Sequence, residues 1–147
     1  MQSLIQKLQI KAHQHFLVLD APDTFAASLA DMSSLGQLYT QHQQGQVYDC
    51  VLLFVRMQSE IAPLVQQVIP CLAVDALCWF CYPKASSKQY QSDIRRDTSW
   101  SALGTVHMES VRMVAIDEDW SALRFRHTDF IKVMSRQASH TQANRSK

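Results

Sequence analysis

The sequence has 147 residues, of which 47% are hydrophobic and 18% charged, a balance typical of one globular domain and not of a disordered chain. Its formal net charge is +1, with 14 basic residues scattered among 13 acidic ones, so no basic surface indicates a nucleic-acid or membrane partner. No apolar stretch is long enough to cross a bilayer and no apolar signal region is present, so we expect a cytoplasmic protein whose four cysteines remain reduced thiols.

The N-terminal part predicts short helices that alternate with buried strands. Apolar residues at helical spacing predict a helix within residues 3–10, and a compact apolar run predicts a first strand over 15–20. A helix over about 25–32, which Gly36 stops, and a weak strand at 38–41 are expected next.

Two clearer strands flank the next predicted helix. Residues 48–55 are apolar without alternation, which predicts a strand buried on both faces of a parallel sheet. Ser59 is expected to cap a helix that has Pro63 in its first turn and ends at Pro70. The following strand is predicted over 76–81.

The C-terminal part predicts one more helix and then a hairpin. Ser92 is expected to cap a helix that runs to about Leu103 and is closed by Gly104. Two further strands are predicted over 111–116 and 122–127, and the short acidic link between them favours an antiparallel hairpin.

This order of elements predicts a single α/β domain over residues 1–134. Its architecture is a doubly wound, Rossmann-like, mostly parallel sheet with helices on both faces and a C-terminal antiparallel hairpin. The order is similar to a truncated class I methyltransferase fold, whose last two strands form such a hairpin. Residues 135–147 are polar, lack apolar periodicity and predict a disordered tail.

The loop after the first strand argues against familiar cofactor use. A dinucleotide or S-adenosylmethionine site of the usual kind needs a glycine-rich turn there, because the backbone must approach the ligand closely. This chain has Asp20-Ala21-Pro22-Asp23 instead, and proline also lacks an N–H donor. The sequence therefore predicts no bound cofactor, with an unusual mode of cofactor binding left open.

No catalytic or metal-binding set is recognisable from residue spacing. Cys78 and Cys81 form a C-x-x-C pair, but residues three apart in a strand face opposite sides, so both are expected to pack in the core. The other cysteines and the six histidines show no zinc-ligand spacing. Ser86 and Ser87 near Lys84 are typical of caps and turns, with a catalytic Ser–Lys pair as the less favoured alternative.

Polar residues follow the strand at 76–81, at the edge where open α/β sheets bind ligands. The predicted helix after it would place four side chains on one face, at positions i, i+3, i+4 and i+7. Such a face forms either an internal ion network or a ligand-binding surface. The candidate ligand-binding residues are Lys84, Ser86, Ser87, Asp93, Arg96, Asp97, Trp100, Asp117, Trp120 and Arg124.

Several stretches occur in an order that resembles a known family. They are 10–11 with 17–22, 52–56, 82–84 with 86–87, 92–97 with Trp100, and 115–118 with 120–125. Together they resemble a family of small bacterial proteins of unknown function with a methyltransferase-like α/β fold, over most of residues 10–127. The resemblance implies a small bacterial cytoplasmic protein and no established activity, cofactor or catalytic residue. His13-Gln14-His15 replaces the proline–glycine turn expected in that family.

Three functional hypotheses fit these residues. The leading one is a non-catalytic domain that binds a small anionic ligand or a protein partner in a cleft at the carboxyl ends of the strands, as a monomer or an oligomer. The alternative is a divergent methyltransferase-like enzyme that uses S-adenosylmethionine, with Asp20 or Asp49 serving at the strand ends. The third is a structural role, in which the motif residues form an internal ion network.

Overall fold

The computed structural model describes residues 3–96 and 99–131. Within these ranges the chain forms a six-stranded mixed sheet with helices on both faces. The predicted tail at 135–147 and the predicted site residue Asp97 lie outside the described residues. None of the helices in these ranges has the length and apolar character that crossing a membrane requires.

Six strands and four α-helices make up the described fold. The strands are β1 (His15–Leu19), β2 (Gln37–Tyr39), β3 (Tyr48–Phe54), β4 (Leu72–Pro83), β5 (Met108–Ala115) and β6 (Trp120–His127). The helices are α1 (Leu4–Lys7), α2 (Ala26–Leu35), α3 (Ile61–Val68) and α4 (Ser101–Gly104). Short 3₁₀ turns lie at Asp23–Phe25, Gln58–Glu60, Ile69–Cys71 and Thr128–Phe130.

The strand order across the sheet is β2-β1-β3-β4-β6-β5. The first four strands in this order are parallel, and β6 runs antiparallel to both β4 and β5. The predicted mostly parallel, Rossmann-like sheet with a C-terminal hairpin is therefore confirmed. Because β2 lies on one side of β1 and β3 on the other, the strand order reverses between β1 and β3.

The sheet separates two apolar layers, which is why β3 and β4 are almost uninterrupted apolar runs. Ile61 and Val65 of α3 pack with Leu103 of α4 on one face. Leu8, which follows α1, and Met32 of α2 belong to the layer on the other face. The predicted placement of helices on both faces is correct.

The two cysteines of the C-x-x-C pair lie on opposite faces of β4, as their spacing in a strand predicts. Cys78 belongs to the α3 layer and Cys81 to the α2 layer, and both are fully buried. Burial raises the pKa of Cys78 to about 12 and also raises the pKa of Cys81. Both are therefore inert, protonated thiols near neutral pH.

The predicted helix over 92–103 is wrong for most of its length. Among its described residues only Ser101–Gly104 is helical, and residues 92–96 form an irregular segment. The hydroxyl of Ser92 accepts the N–H of Ile94, and that of Ser99 accepts the N–H of Arg95. These side chains satisfy amides locally and so compete with helix formation. Asp93 and Arg96 therefore do not share a helix face with Trp100, although this was expected.

Strand β4 begins four residues before the predicted strand and contains a bulge. Tyr48 of β3 pairs with Leu72, but Cys50 pairs with Leu77, so two steps along β3 match five along β4. Asp75 lies in this bulge with a φ of 54°. Bulges of this kind bend a strand and redirect its side chains.

Gly36 ends α2, as predicted, and its lack of a side chain permits a close backbone contact. A Cβ atom at this position would lie 2.3 Å from the carbonyl oxygen of Gln14. The N–H of Gln37 donates to that same oxygen at 2.9 Å, and the N–H of His13 donates to Leu35 O at 2.7 Å. The end of α2 is thereby fixed against the start of β1.

Candidate functional site

The carboxyl ends of four strands meet at one edge of the sheet, which we call the carboxyl edge. β1, β3 and β4 are parallel, and β5 has the same direction because β6 is antiparallel to both of its neighbours. Asp20, Arg56, Lys84 and Asp117 follow these strands within two residues. The fold thus collects polar side chains from four parts of the chain where open α/β sheets bind ligands.

The turn after β1 is built without glycine. Asp20 has a φ of 57°, in the left-handed region, which aspartate tolerates better than most residues. After Pro22 comes a 3₁₀ turn whose last residue, Phe25, packs edge-on against Phe54 of β3 at 5.1 Å between ring centroids. Packing therefore fixes this turn, while the side chains of Asp20 and Asp23 remain exposed.

Arg56 places a cation at the carboxyl edge next to the point where the strand order reverses. Its guanidinium carbon lies 4.9 Å from the ring centroid of Tyr90 and 5.9 Å from that of Trp120. Among residues 3–96 and 99–131 its guanidinium has no carboxylate partner, although its backbone N–H donates to Glu60 Oε1 at 3.1 Å. An exposed cation–π contact is worth roughly 0.5–1 kcal/mol. It uses the face of the guanidinium and leaves the N–H donors, which lie in the guanidinium plane, open to an anion.

Residues 84–96 cross the carboxyl edge and are anchored at both ends. The hydroxyl of Ser87 donates to Asp119 Oδ1 at 2.8 Å, which attaches the segment to the β5–β6 hairpin. The N–H of Gln58 donates to Asp93 Oδ1 at 2.7 Å, and Gln58 Nε2 donates to the carbonyl of Asp93 at 2.7 Å. The segment therefore links the hairpin to the start of α3.

The two tryptophans in the predicted site are core residues. Trp100 is 0% exposed and contacts Tyr82 and Phe125, with ring centroids 5.5 and 5.1 Å away. Trp120 is 1% exposed and contacts Phe54 and Tyr90 at 5.3 and 5.0 Å. Both side chains fill the interior beneath the carboxyl edge.

The predicted acidic residues in the described chain bind neutral donors. Asp93 accepts a backbone N–H from Gln58, and Asp117 Oδ2 lies 3.4 Å from Thr24 Oγ1. The expected ion pairs from these carboxylates to arginine are not among the contacts of residues 3–96 and 99–131. The carboxylates connect loops of the carboxyl edge through hydrogen bonds.

Three of the predicted residues line one groove at the carboxyl edge. Lys84, Ser86 and Arg96 border a groove of about 610 Å³. Its apolar surface includes Tyr82 and Met113. Lys84, Arg95 and Arg96 place three cations beside this apolar surface, which suits a ligand that combines an anionic group with an apolar body.

The fold does not bring Arg124 to this groove. Arg124 of β6 pairs with Trp79 of β4. Trp79 precedes Lys84 by five residues, which is roughly 16 Å along a strand. The predicted cluster is thus divided between the carboxyl edge and the middle of the sheet.

Arg56 and Tyr90 were not among the residues predicted from the sequence. A local signal existed for Arg56, since it is a lone cation just past the end of the most clearly predicted strand. No local signal existed for Tyr90, because its contact with Trp120 joins distant parts of the chain.

Comparison with known proteins identifies the fold. No family model matches the sequence, and no curated protein matches it. The structure is similar to the N-methyltransferase NodS from Bradyrhizobium japonicum WM9 in complex with S-adenosyl-L-homocysteine, with a TM-score of 0.50, 11% identity, and coverage of 84% of this chain and 83% of that one.

Two other solved structures give the same result. One is a SAM-dependent methyltransferase from Aquifex aeolicus, with a TM-score of 0.54, 7% identity, and coverage of 84% of this chain and 87% of that one. The other is the pyocyanin biosynthetic protein PhzM, with a TM-score of 0.55, 11% identity, and coverage of 84% of this chain and 53% of that one. The chain therefore has a methyltransferase-like, Rossmann-type α/β fold.

These neighbours correct the leading functional hypothesis. A non-catalytic domain for a small ligand or a protein partner was expected, because no nucleophile or glycine-rich loop is present in the sequence. NodS and the Aquifex protein are methyltransferases, so the comparison favours the enzyme alternative over the non-catalytic one. The missing glycines are weaker evidence against S-adenosylmethionine binding than expected, because Asp20 adopts a left-handed backbone conformation in the turn after β1.

Proposed function

We propose that this chain is a divergent methyltransferase-like enzyme that binds S-adenosylmethionine at the carboxyl edge, between β1 and β3. The observation that carries the proposal is the reversal of strand order between these two strands, with Asp20 after one and Arg56 after the other. In open α/β sheets the crevice at such a reversal is where ligands bind.

The side chains at this crevice fit such a ligand. The exposed carboxylates of Asp20 and Asp23 have no ion-pair partner among the described residues and can accept hydrogen bonds from ribose hydroxyls. The guanidinium of Arg56 can bind the carboxylate of the methionine part. Pro22 supplies no N–H, so the guanidinium of Arg56 takes the place of the usual backbone donors. When bound, S-adenosylmethionine supplies an electrophilic methyl group.

Asp20 is a better candidate than Asp49 for this role. Asp49 lies near the amino end of β3, and its Oδ2 accepts the N–H of His15 at 2.8 Å. That position is at the opposite end of the strands from Arg56. Asp49 therefore serves as a matched control in tests of the carboxyl edge.

The groove bordered by Lys84, Ser86 and Arg96 is our candidate for the methyl acceptor. Its location at the same edge and its cations beside an apolar floor support an acceptor with an anionic group. The proposal includes a cytoplasmic site of action, which the four free cysteines support. It also includes membership of the family of small bacterial proteins that the sequence resembles.

Calorimetric titration with S-adenosylhomocysteine tests this function. We expect binding to the wild type that weakens about tenfold or more in Asp20→Ala and in Arg56→Gln, because each loses a hydrogen bond to the ligand. Asp49→Ala should bind as the wild type does. No binding at about 1 mM ligand, or equal weakening in all three variants, would contradict the proposal.

A further inference from the structure

A second cavity lies at the amino ends of the strands, away from the carboxyl edge. It has a volume of about 300 Å³, at the lower end of the range for small-molecule sites. Its walls come from the segment after α1, from the bulge of β4 and from β6. The residues that carry the argument are Gln9, Lys11, Gln14, Asp49 and Arg124.

Arg124 is a half-buried cation that has no acidic partner among the described residues. Its Nη1 donates to Gln9 Oε1 at 3.1 Å, and its Nε is buried and has no hydrogen-bond partner. No ion pair joins it to a carboxylate in the described ranges. Burial lowers its pKa because the charged guanidinium is partly removed from water there. A charge in this position is costly unless an anion pairs with it.

The nearby acids form no ion pair with Arg124 among the described residues. Arg126 binds Asp75 through two hydrogen bonds, from Nε to Oδ1 at 2.8 Å and from Nη2 to Oδ2 at 2.6 Å. Asp49 Oδ2 accepts the N–H of His15 at 2.8 Å. An anion from outside the described chain would therefore give Arg124 its first direct ion pair there, and exposed Lys11 adds a second cation at the cavity wall.

The cavity also presents acceptors. Gln14 Oε1 is buried without a donor, and the carboxylate of Asp49 lines the same cavity. An occupant with a carboxylate alone would leave Gln14 Oε1 unpaired, which costs free energy in a buried site. An occupant with an N–H or O–H donor next to its carboxylate satisfies both sides of the cavity.

We propose that this cavity binds a small carboxylate that carries an amino or hydroxyl group, such as a small α-amino acid or α-hydroxy acid. The carboxylate accepts from Arg124 and Lys11, and the amino or hydroxyl group donates to Gln14 Oε1 and Asp49. This site is separate from the carboxyl edge, so the inference does not depend on the proposed function.

Thermal unfolding in the presence of matched ligands tests the proposal. The panel is L-alanine, L-lactate and propionate, with L-aspartate, L-malate and succinate as larger counterparts and L-alaninamide as a ligand without the carboxylate. We expect an amino or hydroxy acid at about one hundred times its Kd to raise the melting temperature by about 5 to 10 °C. The analogues without a donor, and the amide, should shift it far less.

Variants locate the binding. For the ligand with the largest shift, Arg124→Gln should raise the Kd about tenfold or more, because a charge-assisted hydrogen bond is lost. Lys11→Ala should raise it about threefold, and this exposed substitution decides the question if Arg124→Gln does not fold. Lys7→Ala, on the exposed surface of α1, should leave the Kd unchanged.

Several outcomes would overturn the proposal. They are the absence of a shift with every panel member, equal affinity for propionate and alanine, and an unchanged Kd in both cavity variants. Binding of S-adenosylhomocysteine to Arg124→Gln is measured in parallel. If Arg124→Gln loses the small carboxylate but still binds S-adenosylhomocysteine, the effect is confined to this cavity. If the wild type binds only one of the two ligands, only the proposal for the other site fails.

Discussion

Asp117 Oδ1 accepts the backbone N–H of Trp120 at 2.9 Å and that of Asp119 at 2.8 Å. One carboxylate oxygen thus closes the turn between β5 and β6, as aspartate side chains commonly do in turns. The turn positions Trp120, whose ring packs against Phe54 and Tyr90. A residue predicted from the sequence to bind a ligand therefore organises the core beneath the carboxyl edge.

Replacing Asp117 should destabilise the hairpin more when the new side chain has no oxygen acceptor than when it keeps one. We expect Asp117→Ala to lower the free energy of unfolding by about 1–2 kcal/mol, because two backbone N–H groups lose their partner. Asp117→Asn keeps a side-chain oxygen and should lose less than half of that. Urea unfolding at neutral pH measures the difference. Equal losses in the two variants would show that the carboxylate charge, rather than the turn, matters.

The four cysteines should differ sharply in reactivity. Cys50, Cys78 and Cys81 are buried, and burial raises the pKa of each thiol. Cys71 is partly exposed, and its Sγ lies 3.8 Å from the carbonyl oxygen of Gln67. Because the thiolate is the reactive form, we expect only Cys71 to react quickly with a chromogenic disulfide reagent in the folded protein.

Counting thiols checks this prediction. The absorbance change should correspond to one fast thiol per folded chain and four after unfolding in urea, and Cys71→Ser should abolish the fast phase. A fast phase of two or more thiols would mean that a cysteine of β3 or β4 is accessible to the reagent. That result would contradict the burial of both strands.

Local patterns predicted the sheet because each strand carries its own signal. β3 is apolar on both faces, so its place inside a parallel sheet was clear, and the acidic link at 117–121 indicated the hairpin. The helix predicted over 92–103 does not form at residues 92–96, because helix-like spacing was outweighed by serine hydroxyls that accept nearby backbone N–H groups.

The candidate site was harder to predict because its contacts are long-range. Arg56 with Tyr90, and Gln58 with Asp93, meet only when the chain crosses the carboxyl edge. Trp100 was assigned to a polar face from helical spacing, yet with that helix absent its large ring enters the core. Arg124 was grouped with Lys84 because sequence order does not show how far along β4 each one lies.

The Asp75–Arg126 pair should make stability depend on pH. The hydrogen bond from Arg126 lowers the pKa of Asp75 in the folded state below its usual value near 4. Its contribution is therefore present above the unfolded-state pKa and is lost as the pH falls through the folded-state pKa. Both side chains are about a third exposed, at 33% and 29%, so we expect only about 0.5–1 kcal/mol.

Urea unfolding of the wild type and Asp75→Asn, from about pH 7 to about pH 2, measures this effect. Asparagine tolerates the φ of 54° at this position, so the bulge itself should survive. The difference in free energy of unfolding between the two proteins should narrow as the pH falls. Adding Arg126→Gln to Asp75→Asn should not lower the free energy of unfolding further, because the ion pair is already absent. A difference that stays constant with pH would assign the effect to the backbone instead.

Replacing Gly36 should destabilise the fold more than replacing Gly45 does. A Cβ at Gly36 meets backbone atoms, Gln14 O at 2.3 Å and Gln14 N at 2.9 Å, which cannot rotate away as a side chain does. We expect Gly36→Ala to lower the free energy of unfolding by about 3 kcal/mol, because α2 must move away from the start of β1. Thermal or urea unfolding gives the value directly.

Gly45→Ala is the matched control, because it tests backbone conformation without crowding. Gly45 has a φ of 83°, and a Cβ there would have no heavy atom within 4 Å, so alanine should cost only about 1 kcal/mol from the left-handed conformation. A loss in Gly36→Ala no larger than in Gly45→Ala would mean that the close contact with Gln14 relaxes easily. It would also mean that the end of α2 is not rigidly fixed against β1.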